Sequence, residues 1–191
     1  MPNYRRAYRP GGTFFFTLVT EDRAPLFAGE RGRSILRAAL ENCQASRPFE
    51  LVADVLLLDH LHAMWTLPSG DYDFSRRWAW IKRRFSTEFL ATGGSECSVT
   101  ADQSRQRRRG VWQPRFYEHL IRDQDDFNRH LDYIHFNPVK HGLATCPHSW
   151  THSSFGKSVR QGDYARDWGC SCNGRSQEAL DFGWADEAGI E

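Results

Sequence analysis

No stretch of the 191 residues approaches the roughly 18 uninterrupted apolar positions of a membrane-spanning helix. The opening MPNYRRAYRPGG is basic but lacks the apolar core of a secretory leader, so a cytoplasmic protein is expected. Cysteine is scarce. Five residues, an odd number, stand at positions 43, 97, 146, 170 and 172 without zinc-ribbon spacing, which argues against a disulfide framework and leaves reduced thiols as the expectation. There is no Walker-type loop, GxGxxG fingerprint or DxD cluster, so nothing points to nucleotide-driven chemistry. No internal repeat is visible.

Aromatic residues are plentiful: 7 Trp, 6 Tyr and 13 Phe within a 40% hydrophobic chain supply enough apolar area to outweigh chain entropy and build one core. The formal charge of +1 hides an asymmetry. Residues 161–191 carry two Arg against seven acids, −5 in all, which leaves +6 on residues 1–160. A basic body suits a polyanionic partner, and the acidic end either competes for the same surface or is a solvated tail.

Local patterns give a β-α-β-β order. Gly12 to Thr20 reads as a strand with two apolar faces, and Ile35, Leu36, Ala39, Leu40 and Cys43 mark a helix from about Glu30 that stops at Arg47-Pro48. Phe49–Leu58 and Leu61–Leu67 are extended runs broken near Asp59. Phe74, Trp78, Ile81, Phe85 and Phe89 recur at steps of 4, 3, 4 and 4, so Asp73–Leu90 is a helix with one apolar stripe. Off that stripe stand Arg76, Arg77, Lys82, Arg83 and Arg84, either a phosphate-binding face or a solvated one. Residues 91–110 lack periodicity and end in Arg105, Arg107, Arg108 and Arg109, which suggests a mobile basic loop. Phe127, Leu131 and Ile134 then mark a helix capped by Asp123 or Asp125 and ended by Pro138.

Two features can carry chemistry. His60 and His62 are two apart on a strand, so both imidazoles leave the same face, while Leu61 and Ala63 leave the other. Such a pair can chelate one divalent cation, or simply be tolerated by the strand. Tyr133 and Asn137 are four apart on a helix and share a face. The Asn137 oxygen is a hard donor suited to Mg²⁺ or Mn²⁺ beside two nitrogens, whereas zinc prefers another His or Cys. A tyrosine beside such a cation is a competent nucleophile toward phosphorus; away from one it is an ordinary helix residue.

These residues sit in a longer series: YRR at 4–6, GGTFFFTL at 11–18, RPFEL at 47–51, HLHAMWTLP at 60–68, WQPRFYEH at 112–119, LDYIHFNPVKHGL at 131–143, SSF at 153–155 and DWG at 167–169. In order and spacing the series, covering residues 3–169, resembles the REP-associated tyrosine transposases, relatives of the single-tyrosine HUH transposases of small insertion sequences. The resemblance implies an α+β fold, a ferredoxin-like antiparallel sheet with helices on one face, the HUH strand central and the tyrosine helix beside it. It implies His60 and His62 as metal ligands, Tyr133 as nucleophile and Asn137 as third ligand, with Mg²⁺ or Mn²⁺ as cofactor. Insertion-sequence enzymes usually carry Gln at the last position, and Asp59-His60 departs from the commoner Asn-His.

The activity implied is cleavage and rejoining of single-stranded DNA at REP hairpins through a 5′-phosphotyrosine, by a nucleoid-associated protein acting as a monomer rather than a dimer. A domain of residues 1–169 and a flexible acidic tail of 170–191 are expected. For DNA contacts we nominate Arg5, Arg6, Arg76, Arg77, Lys82, Arg83, Arg84, Arg115 and Lys140, with Tyr4, Trp112 and Phe116 as stacking platforms, although burial in the core competes for Trp112 and Phe116. The tail is expected to fold back on the basic face and weaken DNA binding at low salt. A hairpin-binding module without cleavage is the alternative, and a hydrolase using water would leave Tyr133 unexplained.

Overall fold

A strand with two apolar faces needs cover on both sides. The computed structural model, which describes residues 9–105, 108–172, 180, 182–187 and 189–190, supplies it for β1 (Thr13–Val19). With β2 (Glu50–Leu56), β3 (His60–Thr66) and β4 (Tyr117–Leu120) it forms an antiparallel sheet in the order β2-β3-β1-β4. Helix α1 (Glu30–Ser46) joins β1 to β2, and α2 (Phe74–Ala91) follows β3. After a short α3 (Ala101–Arg105) the chain enters β4, completing the βαββαβ path and strand order of a ferredoxin-like fold. Three more helices follow: α4 (Gln124–Lys140), α5 (Phe155–Gln161) and α6 (Gly183–Glu187).

The pleat sorts β1 and β3 into two cores. Phe14, Phe16, Leu18, Leu61, Ala63 and Trp65 point toward α1 and α2, where they meet the stripe Phe74, Trp78, Ile81 and Phe85. Trp65 is sandwiched there between Phe49, with ring centroids 3.9 Å apart, and Trp78, at 4.0 Å. Phe15 and Met64 point the other way, into a second cluster with Ala53, Val55, Tyr133 and Ile134 under α4. The expectation of helices on one face therefore holds for α1 and α2, while α4 covers the opposite face.

Four local expectations change. Pro138 does not end α4, which runs on to Lys140. The stop is Gly142, at φ +66°: its N–H donates to Val139 O and that of Leu143 to Pro138 O, so the left-handed glycine closes the helix and fixes His141 as its cap. The 91–110 loop contains α3 and is tied by Cys97 N to Gly110 O at 2.7 Å and by Arg109 to Glu96 at 2.7 Å, so its described residues are anchored at both ends. Among the described residues of the acidic end, Phe182, Ala185 and Ile190 are buried in the second cluster instead of lying in solvent. Cys146 and Cys170, expected as separate thiols, are joined as a disulfide because segments 145–148 and 169–172 run side by side. Among the described residues, no helix is long and apolar enough to cross a membrane.

Candidate active site

Alternation along β3 delivers His60 and His62 to the α4 side of the sheet, both almost completely buried. Their rings stand edge to face with centroids 4.9 Å apart. Each Nδ1 has a partner. His60 Nδ1 lies 2.5 Å from the Asp59 carboxylate, and His62 Nδ1 lies 2.8 Å from Thr17 Oγ1, the residue facing it in the β1–β3 register. Assigning the ring proton to Nδ1 in both cases leaves the Nε2 lone pairs for another group. The Nε2 of His60 is buried with no hydrogen-bond partner among the described residues.

The β2–β3 turn sets Asp59 in place, since Thr20 donates to the Asp59 carbonyl from both N–H and Oγ1 at 2.9 Å. Burial pushes the Asp59 carboxyl up, but hydrogen bonds and charge from His60 and Arg23 outweigh it and hold it below the usual carboxylate value. The departure from Asn-His thus puts an ionised carboxylate behind His60, where it orients the ring.

Helix α4 brings a matching stripe. Tyr133, Asn137 and His141 follow at intervals of four. The Tyr133 ring centroid is 5.1 Å from that of His62, and the His141 centroid is 5.1 Å from that of His60, and Asn137 lies between Tyr133 and His141 on the same face of the helix. Both amide atoms of Asn137 are fully buried without a hydrogen-bond partner among the described residues, a costly state for a primary amide. Two imidazole nitrogens and an amide oxygen, all buried, are a donor set that suits a divalent cation of the Mg²⁺ or Mn²⁺ kind.

A second His/Asp group, His119, Asp126 and His130, lies at the start of α4. There Asp126 Oδ2 already accepts from His119 Nε2 at 2.8 Å and from Arg122 N and Nε at 3.0 Å. Its oxygens are committed to tying β4 to α4.

The cation side of the site is also organised. Lys140 Nζ stands 5.2 Å from the Tyr133 ring centroid and 3.1 Å from Asp186 of α6. Phe182 and Trp184 each approach the Tyr133 ring at 5.5 Å, so the C-terminal segment roofs the tyrosine. An open cleft of about 280 Å³ reaches Asp59, His60 and His141, and Arg23 lines both it and a neighbouring cleft of about 680 Å³ that holds Arg108, Gln113 and Arg115. Asp22 and Arg23, at φ +52° and +50°, adopt the left-handed region that L residues avoid, so the loop between the clefts is held in a costly conformation.

The remaining nominated residues divide. Arg76, Arg83, Arg84 and Arg115 are exposed. Arg77 is buried, bonded to Asp71 at 2.6 Å and to the carbonyls of Arg47, Pro48 and Asp73, so its donors clasp the loops around α2 instead of facing DNA. Lys82 donates to Gln113 O at 2.5 Å, and burial lowers its ammonium to about 8. Trp112 is buried against Phe27 and Phe85, so burial in the core wins for that ring, while Phe116 packs on Phe16 and Phe74 and stays half-buried. Tyr4, Arg5 and Arg6 lie outside the described residues. Four residues of the site were not nominated: Asp59, Thr17, Arg23 and His141. For Thr17 the signal was register, and for His141 the KHGL helix stop.

No family model matches the sequence. A curated protein of Haemophilus influenzae, provisionally named a REP-associated tyrosine transposase, is 39% identical over 170 residues, 88% of this chain and 94% of its own length. The REP-associated tyrosine transposase of Escherichia coli K12 is 40% identical over 168 residues, 88% of this chain and 91% of that protein. A solved structure of a REP-associated tyrosine transposase bound to a REP hairpin aligns with a TM-score of 0.74 at 40% identity, covering 88% of this chain and 91% of that one.

Proposed function

This chain belongs to the REP-associated tyrosine transposases, and we propose that it nicks and rejoins single-stranded DNA at REP hairpins through a covalent bond between Tyr133 and a 5′ phosphate. One observation carries the reading: Tyr133, His62, His60 and His141 form an unbroken series of neighbouring rings within one molecule, with Asn137 between. Because that series needs no second copy, a monomer suffices.

His60, His62 and Asn137 are the residues that would hold the cation, Mg²⁺ or Mn²⁺. When bound, it polarises a phosphoryl oxygen and stabilises the charge that gathers there in the transition state. Asp59 and Thr17 fix the two imidazoles with Nε2 forward. Tyr133 supplies the nucleophile: its phenolic oxygen forms a bond to phosphorus as the bond to the 3′ oxygen breaks, and the proton lost by the phenol is balanced by the one the 3′-OH takes up. A free phenol titrates near 10, and the Lys140 ammonium stands over the Tyr133 ring. One phosphodiester replaces another, so reversal rejoins strands without an energy source. The single strand is placed along Arg115, Arg108 and Arg23 into the cleft at His60, while the exposed Arg76, Arg83 and Arg84, on the α1/α2 side, hold the hairpin backbone.

The test is incubation with a single-stranded REP hairpin and Mn²⁺ followed by a denaturing gel. An adduct that disappears in Tyr133→Phe, with hairpin binding retained, supports transposase chemistry. Binding with no adduct in the unaltered chain supports the cleavage-silent module instead.

A further inference from the structure

Two short segments at the end of the domain bring four soft donors together. Cys146-Pro147-His148 follows α4, and Cys170-Ser171-Cys172 leads into the C-terminal segment. The ligand atoms of Cys146, His148 and Cys170 all lie within 4.8 Å of one another. Cys172 Sγ is 3.1 Å from Cys146 Sγ, and Cys170 Sγ is 3.6 Å from His148 Nδ1. A disulfide between Cys146 and Cys170 accounts for two of these atoms. It calls for neither a third sulfur nor an imidazole beside it.

The backbone holds the segments in this register. Ser171 N–H and Oγ both donate to Thr145 O, at 2.8 and 3.0 Å. Gly169, at φ +69°, passes so close to Pro147 that a Cβ would fall 2.8 Å from its ring, which is why a glycine precedes the second cysteine pair.

We propose that Cys146, His148, Cys170 and Cys172 form a structural zinc site. Three thiolates and one imidazole complete a tetrahedron, and a closed set of four leaves no open position for catalysis. With Zn–S near 2.3 Å, tetrahedral edges are about 3.8 Å, close to the separation between Cys170 Sγ and His148 Nδ1. Softness separates this site from the N/O set at His60, His62 and Asn137. The disulfide between Cys146 and Cys170 is first opened by a dithiol reductant, which is itself oxidised to a disulfide as the two cysteines take up two electrons and two protons; the thiols then release their protons to solvent as zinc binds, with no further electron transfer. His148 Nδ1 also lies 3.1 Å from Arg166 O, and on binding it gives up that contact while Nε2 carries the ring proton. The bound ion staples the end of the tyrosine helix to the start of the segment that roofs Tyr133.

The full chain, purified under reducing conditions, is assayed for metal by mass spectrometry and, after exchange to Co²⁺, by absorption. The expected result is one tightly held zinc per chain and a thiolate-to-cobalt charge-transfer band. Both survive in the His60→Ala/His62→Ala double variant, and Cys172→Ser loses zinc to a chelator concentration that the parent withstands. If Cys172→Ser does not fold, the cobalt spectrum of the parent chain decides, because an N/O site gives no thiolate band. Zinc that follows His60 and His62, or a metal-free chain with Cys146 and Cys170 oxidised under reductant, overturns the proposal.

Discussion

The two faces of the sheet are equally buried and chemically opposite. On the α1/α2 face β1 and β3 place Phe14, Phe16, Leu18, Leu61, Ala63 and Trp65, and their neighbours are almost all carbon. One residue along, the same strands place Thr17, His60 and His62 under α4, the helix of an asparagine whose buried amide has no hydrogen-bond partner among the described residues. The first face is where the fold gains stability. The second spends some of it to keep polar atoms dry, as expected where local rules yield to chemistry.

That contrast makes predictions of decreasing size. Trp78→Ala removes a fully buried ring from the apolar face and is expected to cost about 3–5 kcal/mol in urea unfolding, while the folded fraction keeps its adduct-forming activity. A Trp78→Ala chain that is as stable as the parent breaks the division of labour.

Acid should strike the other face. Burial lowers His130 and His135, both on α4, to about 4. Between about pH 6.5 and 4 the unfolded chain therefore takes up protons that the folded chain refuses, and stability falls with pH through that window, by on the order of 1–2 kcal/mol per histidine at pH 5. Urea midpoints at pH 7 and pH 5 measure this loss, which His135→Gln should reduce.

Asn137→Leu sharpens the comparison further. In metal-free protein it removes a buried amide that has no hydrogen-bond partner among the described residues, so stability should stay level or rise by about 1 kcal/mol. Mn²⁺ binding by titration calorimetry should weaken, and a large loss of metal-free stability would show Asn137 to be a packing residue.

The smallest effect concerns the acidic end. Asp186→Asn breaks the exposed pair with Lys140 without touching the buried Phe182 or Ala185. Hairpin affinity at low salt should rise by about two- to fivefold, and unchanged affinity and salt slope would remove the idea that the tail competes with DNA.

Much of this arrangement was legible from residues 3–169. The period of two in β1 and β3, the stripe of α2, and the four-residue step from Tyr133 to Asn137 are properties of single elements, and the sequence carries them openly. What stayed hidden depends on partners far along the chain. Arg77 reads as a surface cation until the carbonyls of Arg47 and Pro48 come within reach. The acidic composition of the C-terminal segment masks Phe182, Ala185 and Ile190, too few and too irregular to announce a buried face. Cys146 and Cys170, 24 residues apart, acquire meaning only when Thr145 and Ser171 meet.

The central claim, that one phenol and one pair of imidazoles act on the same DNA linkage, is tested most directly by peptide mass spectrometry of the covalent complex. The account predicts the nucleotide remnant on the peptide containing Tyr133, lost when His60 and His62 are replaced by Ala. A remnant on Tyr117 or Tyr164, or one that persists without the two histidines, contradicts it.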